Sequence, residues 1–209
     1  MAEITVDTLS GEIKVSDKDK SFVIKTDNIF RAKLYNDNFV CVLTDANTPN
    51  EKELLYDLNG ELIYEFYRRQ SRVIFMKHEL QIGIRIGVVA YYPLKNQLLV
   101  CGSYKEEGKK GSCLFIYGTD RKLVKTLDEH SVYEIDIEDS DIKYAKMFAE
   151  SYIPEENRYR ICGVLCFNDR VELRMQVIGG ETVGGDYLTW RMALDMDTYK
   201  LKIAGYDPR

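Results

Sequence analysis

The chain of 209 residues has only two histidines, His78 and His130, and its five cysteines form no Cys-x-x-Cys pair. A zinc site needs several such ligands at close spacing, so no metal site is predicted. The Gly-x-Ser-x-Gly and His-Glu-x-x-His motifs of hydrolases are also absent. We therefore expect no catalytic set and no cofactor.

Long hydrophobic runs are missing as well. The longest, near Val88–Tyr92, is far shorter than the ~20 residues that cross a bilayer. The N-terminus lacks the basic and apolar regions of a secretory leader. An odd number of cysteines inside apolar runs is typical of small buried hydrophobes. We expect a soluble cytoplasmic protein that does not bind membranes.

Positive charge is too scarce for a general nucleic-acid binder, because the formal net charge is −5. Alanine, which favours helices, occurs only eight times, whereas tyrosine, which suits a pleated surface, occurs 15 times. This composition indicates β structure.

Short apolar runs separated by polar turns predict about fifteen strands in succession. The clearest turn is Asn59-Gly60, between the runs 54–57 and 61–66, since Asn-Gly favours a tight hairpin with positive φ at both residues. The other runs are 21–25, 29–35, 39–43, 72–76, 82–92, 97–101, 112–117, 122–127, 132–137, 158–167, 171–178, 187–196 and 199–204.

One segment fits a helix as well as a strand. Asp141 would be its N-cap and Pro154 would end it. The apolar side chains that would share a helical face are Ile142, Ala145, Phe148, Ala149 and Tyr152. The predicted fold is all-β with at most one short helix.

A weak internal repeat links the strand–turn–strand segments 55–66 and 116–127, each preceded by a polar loop and a cysteine-bearing strand. The pattern predicts one domain over 1–209, with antiparallel four-stranded units at 29–66, 86–127 and 142–205 and an extra hairpin at 3–15. Such units resemble the blades of β-propellers. The resemblance implies a small ring or part of one, and a meander or sandwich remains the alternative.

An acidic run holds seven carboxylates and no lysine or arginine between Asp128 and Asp141. Glu134, Asp136 and Glu138 alternate with isoleucines, so a strand would place them on one face. The run lacks the glycine and distal glutamate of an EF-hand calcium loop. It fits a charged edge strand that resists pairing, or a docking face for a basic partner. The candidate binding residues are Glu134, Asp136, Glu138, Asp139 and Asp141.

A basic-aromatic segment provides the second candidate surface, formed by Tyr67, Arg68, Arg69 and Arg72. Arginines interleaved with aromatic residues bind acidic partners or stack on rings. A solvated hairpin loop is the other interpretation.

Together these features predict a non-catalytic protein–protein interaction module. Small acidic proteins that neutralise a basic toxin, such as bacterial immunity proteins, are similar in size and charge. One alternative is a hydrolase that uses clustered carboxylates in a cleft, and another is a small-ligand binder with a tyrosine-rich pocket.

Overall fold

The computed structural model describes residues 2–7, 9–17, 20–106, 109–131, 133–148, 158–181 and 187–206. The fold is all-β, and the described residues include one α-helix and one short 3-10 turn at Pro93–Lys95. The chain divides into two compact units, Met1–Ile84 and Arg85–Arg209.

The first unit contains two antiparallel sheets. The three-stranded sheet has the order β1-β2-β3 and consists of Glu3–Asp7 (β1), Glu12–Asp17 (β2) and Lys20–Lys25 (β3). The six-stranded sheet runs in sequence order and consists of Ile29–Tyr35 (β4), Phe39–Thr44 (β5), Lys52–Asp57 (β6), Leu62–Tyr67 (β7), Arg72–Phe75 (β8) and His78–Leu80 (β9).

The core of the first unit follows from the alternation of apolar and polar residues. Ile13 and Val15 of β2 are buried, whereas Lys14 between them is exposed. Their face packs with Val40 and Val42 of β5, so the two sheets share one hydrophobic core.

The second unit also contains two sheets. The four-stranded antiparallel sheet runs in sequence order and consists of Arg85–Tyr92 (β10), Gln97–Glu106 (β11), Lys109–Tyr117 (β12) and Leu123–Asp128 (β13). The five-stranded sheet and the helix consist of Ile135–Asp136 (β14), Asp139–Phe148 (α1), Arg158–Cys166 (β15), Val171–Glu181 (β16), Tyr187–Leu194 (β17) and Leu201–Tyr206 (β18). Its order is β14-β18-β17-β16-β15, and β14 pairs parallel to β18.

The core of the second unit joins both of its sheets and the helix. Leu114 and Ile116 come from the four-stranded sheet, Leu173 and Trp190 from the five-stranded sheet, and Ala145 from α1. All five side chains have no solvent exposure. At about 25 cal/mol per Å² of apolar surface, this burial is the main stabilising contribution.

The predicted strands are confirmed along most of the chain. Near the N-terminus, β1 and β2 pair in an antiparallel hairpin. Two expectations differ from the structure. In the run 132–137, residue 132 lies outside the described residues, and of the others only 135 and 136 form a strand, β14, which pairs with β18. Strand β9 has no counterpart in the prediction, since His78–Leu80 is short and bears two exposed polar residues.

For the segment that fits either a helix or a strand, the structure confirms the helix, since α1 spans Asp139–Phe148. Ile142 is half-buried and Ala145 is buried. The remainder of that prediction, from Ala149 to Pro154, lies outside the described residues.

The hairpin at Asn59-Gly60 is confirmed, with one residue more between its strands than predicted. Only Gly60 has positive φ, +82°, and its N–H donates to the carbonyl oxygen of Asp57 at 3.1 Å. The Asp57 carboxylate accepts from the N–H groups of Asn59 and Glu61 at 2.9 and 2.8 Å. The aspartate therefore caps a four-residue connection, 58–61, where the sequence predicted the three residues 58–60.

Two hairpins of the second unit also contain a backbone hydrogen bond in the turn; it spans three residues at Arg121, as at Gly60, and four residues at Tyr199. Arg121 donates to the carbonyl oxygen of Gly118 at 2.9 Å, and Tyr199 donates to that of Asp195 at 2.8 Å. Both donors have positive φ, +65° and +60°. The single-domain organisation and the unit boundaries 29–66, 86–127 and 142–205 stay predictions. The last range includes 149–157 and 182–186, which lie outside the described residues.

Candidate functional site

Five carboxylates follow one another from the residue before β14 to the first turn of α1. We name this the acidic surface, and it consists of Glu134, Asp136, Glu138, Asp139 and Asp141. Glu134, Asp136 and Glu138 are exposed, whereas Ile135 and Ile137 are half-buried. The predicted alternation is thus present over these residues, although only two of them lie in a strand.

Few of these charges are neutralised by neighbours. Glu134 accepts from the ammonium of Lys200 at 2.6 Å, and this hydrogen bond raises the pKa of Lys200. Asp136, Glu138 and Asp139 form no ion pair with the described part of the chain. The acidic surface therefore keeps a net negative charge toward solvent.

Asp141 is not the N-cap of the helix, as the sequence suggested. Glu138 occupies that place, because its carbonyl oxygen accepts from the N–H groups of Asp141 and Ile142 at 2.9 and 3.2 Å. The Asp141 carboxylate in turn accepts from the N–H of Glu138 at 3.1 Å. The bond from the N–H of Glu138 to the acid three residues later is one half of a capping box, and an acid in the first turn also suits the helix dipole. Asp141 consequently stabilises the helix start.

The basic segment, Tyr67, Arg68, Arg69 and Arg72, joins β7 to β8. Arg68 and Arg69 both approach the carboxylate of Glu51, at 3.4 and 3.6 Å. Glu51 is buried and also accepts from the N–H of Asn47 at 3.0 Å. One buried carboxylate therefore holds two arginines of the predicted binding surface.

Arg72, the third arginine of the basic segment, also contacts residues of its own unit. Arg72 donates to Glu79 at 3.0 Å, and its guanidinium carbon lies 4.5 Å from the ring centre of Tyr67. The Tyr67 hydroxyl donates to Glu65 at 3.0 Å. Partial burial and this bond raise the pKa of Tyr67. The segment is thus bound to acids of its own unit, while the acidic surface belongs to the second unit.

The histidines and a further sequence pair show no catalytic arrangement among the described residues. His78 and His130 are both exposed. Ser140 and Lys143, a Ser-x-x-Lys pair at the start of α1, are exposed too, without the desolvated surroundings that activate a serine. In the part of the chain that the structure describes, no three metal-ligating side chains come together.

The second unit contains a cleft of about 430 Å³ that sequence reasoning missed. It is lined by β10, β11, β12 and β15, and its polar side chains are Arg85, Ser103, Ser112, Arg160 and Cys162. None of the lining residues is a tyrosine, so the tyrosine-rich pocket expected of a ligand binder is not what the structure shows here.

Two β-bulges explain why the sheets open at this place. Strands β10 and β15 lie at the edges of their sheets. In β10 the ladder skips Gly87, and in β15 it skips Cys162. A bulge bends its strand and leaves the extra residue outside the ladder. Both extra residues line the cleft.

A half-buried carboxylate organises the wall of the cleft. Glu129 accepts from Nε of Arg160 at 3.0 Å and from the N–H of Ser112 at 3.2 Å. The Ser112 hydroxyl accepts from the N–H of Ile161 at 2.9 Å. These bonds hold Arg160 and Ser112 in place beside the bulge of β15.

Cys162 is the one exposed cysteine; Cys41 is half-buried and the other three are buried. Partial desolvation raises the pKa of the Cys162 thiol. The positive charges of the nearby Arg160 and Arg174 act in the opposite direction and lower it. Burial raises the pKa of Cys41 and Cys101 further, to about 12. The expectation that the cysteines are buried therefore fails at Cys162, because the bulge turns it outward.

We expect one thiol of the native protein to react readily with Ellman's reagent, and all five after denaturation. The rate for Cys162 should rise with pH beyond the ordinary thiol range, because only the thiolate attacks the reagent. Cys162→Ser should remove the fast phase, and the matched variant Cys41→Ser should retain it. A fast phase that survives Cys162→Ser would contradict this assignment.

No described helix is long and apolar enough to cross a membrane. A comparison with protein-family models gives no match, and a comparison with curated proteins finds no significantly similar sequence.

Proposed function

We propose that the protein is a non-catalytic interaction module whose acidic surface binds a basic protein partner. The observation that carries the proposal is the exposure of Asp136, Glu138 and Asp139 without an ion pair among the described residues. Adjacent like charges repel one another, and a partner of opposite charge would relieve that repulsion and speed association.

The hydrolase alternative has less support. A carboxylate that acts as a general acid needs desolvated surroundings beside a second acid. Glu134, Asp136 and Glu138 instead face solvent.

The basic segment is a weaker candidate for partner binding than the acidic surface. Arg68, Arg69 and Arg72 already contact Glu51 or Glu79. An acidic partner would have to displace these carboxylates, which lowers the net gain from binding. Tyr67 is covered by Arg72 in the same way.

We also propose that the scaffold is a propeller-like repeat and that the protein works in the cytoplasm, as an immunity-type protein would. The turns at Gly60, Arg121 and Tyr199 support a repeat, since a positive-φ residue donates a backbone hydrogen bond in each; the bond spans three residues in the first two turns and four in the third. Free cysteines support a reducing compartment.

Charge reversal tests the proposed function. Wild-type protein and the Asp136→Lys/Glu138→Lys variant would be used to capture partners from native extract at about 0.05 and 0.3 M salt. We expect a basic protein that is captured at low salt and lost with the variant, with binding at least about tenfold weaker. The control Asp27→Lys/Glu61→Lys makes the same charge change in the first unit, at two exposed acids.

Two results would contradict the proposal. One is a partner that the acidic-surface variant and the control retain equally. The other is turnover by the purified protein on a panel of hydrolase substrates, without any captured basic protein.

A further inference from the structure

The cleft of the second unit has the size and lining of a small-molecule site. Its volume of about 430 Å³ lies within the usual range for ligand pockets, roughly 300–1,000 Å³. Ile86, Cys101 and Ile161 supply buried apolar wall, and Val88 is partly exposed at it. A few polar groups on an apolar wall are typical of sites that orient a ligand.

The charged side chains of the cleft are basic. Arg85 is exposed and forms no ion pair with the described residues. Arg160 is tied to Glu129 through Nε, so its guanidinium is held at the cleft before any ligand arrives. An arginine held in this way loses little conformational entropy on binding and pairs well with a planar oxyanion.

The hydroxyl-bearing side chains add donors on the same wall. Ser103 and Ser112 are cross-strand partners in β11 and β12, and both line the cleft. The Ser112 oxygen accepts from the N–H of Ile161, which leaves its own O–H free to donate. Two arginines and two serines therefore supply donors, and no acidic side chain lies among the lining residues.

The bulges argue for a small molecule and against an added peptide strand. A peptide that extends a sheet needs a regular row of backbone groups along the edge. Gly87 and Cys162 interrupt that row in both edge strands of the cleft. The bulges widen the cleft at the place where an added strand would need an uninterrupted row of backbone hydrogen bonds.

We propose that this cleft binds a small organic oxyanion, with the anionic group at Arg85 and Arg160 and the apolar part against Ile86 and Ile161. The site is separate from the acidic surface, and its residues are different ones. A carboxylate and a phosphate monoester share the chemistry that these donors recognise.

The test uses Cys162 as a reporter, since it is exposed and lines the cleft. Protection of this thiol from Ellman's reagent would be measured with benzoate, hexanoate, phenyl phosphate and the uncharged benzamide, each up to about 1 mM, alongside calorimetry. We expect at least one anion to bind and to protect the thiol, and benzamide to do neither. The carboxylate and phosphate arms decide which oxyanion is preferred.

Two variants locate the binding. Arg85→Gln should weaken it at least about tenfold without affecting the fold, because Arg85 is exposed; Arg31→Gln, another exposed arginine, should leave it unchanged. Gly87→Leu should block binding sterically, because Gly87 lines the cleft. The fold should tolerate this change, since a Cβ at Gly87 meets only the carbonyl oxygen of Cys101, at 3.8 Å. The proposal is overturned if no anion binds, if Arg85→Gln binds as tightly as the wild type, or if an acidic peptide binds more tightly than every small anion.

Discussion

Replacement of Trp190 by alanine should lower the free energy of unfolding by about 3–5 kcal/mol. Trp190 lies in β17 in the middle of the five-stranded sheet, opposite Met175 of β16, and neither side chain is exposed. The substitution removes the largest fully buried side chain of the protein and leaves a cavity. Because protein interiors are close-packed, the neighbours fill such a cavity only in part.

The loss would be measured by urea unfolding followed by circular dichroism, since the variant has no tryptophan left for fluorescence. The matched control is Leu165→Ala in β15, whose side chain is 57% exposed in the same unit. It should change the free energy of unfolding by less than about 0.5 kcal/mol. A similar small change for Trp190→Ala would show that the core does not depend on this side chain.

The second large effect is expected at Glu129, where alanine should lower the free energy of unfolding by about 1–3 kcal/mol. Strand β13 ends at Asp128, opposite Cys113, so the N–H of Ser112 has no carbonyl partner on that side. The Glu129 carboxylate accepts from it instead and also holds Arg160. Alanine therefore leaves a buried N–H without its acceptor and an arginine without its counter-charge.

Glu129→Gln serves as the matched comparison, because an amide oxygen still accepts from the N–H of Ser112. Urea unfolding should place it between the wild type and Glu129→Ala. If glutamine and alanine were equally destabilising, the charge on Arg160 would matter more than the N–H of Ser112. If both matched the wild type, the bonds of Glu129 would contribute nothing to stability.

Strand positions were readable from the sequence because side-chain alternation is a local signal. Ile13, Lys14 and Val15 in β2 show the alternation directly, and the structure repeats it in burial. The pairing of β14 with β18 was not readable, since it joins residues 135 and 201, which are far apart in the chain. The helix start was misplaced by a local detail, because Glu138 and Asp141 both suit the first turn and only the backbone bonds distinguish cap from partner.

The acidic surface was found from the sequence because its charges are consecutive. The cleft was not, since Arg85, Ser112 and Arg160 are brought together only by packing of two sheets. A bulge such as the one at Cys162 leaves no clear trace in a run of apolar residues. A glycine inside a strand, such as Gly87, is the one available hint, because glycine is frequent at bulges.

The aspartates that cap hairpin turns also determine how the protein should respond to acid. Hydrogen bonds from Ser10 lower the pKa of Asp7, the N–H of Lys122 lowers that of Asp120, and the N–H groups of Thr198 and Asp197 lower that of Asp195. A carboxylate with a lowered pKa contributes stability above its unfolded pKa and loses it as pH falls through the folded value. These three carboxylates therefore stay ionised in mildly acidic solution, and the stability that they give their turns is lost as the pH falls from the ordinary pKa of aspartate through the lowered folded value.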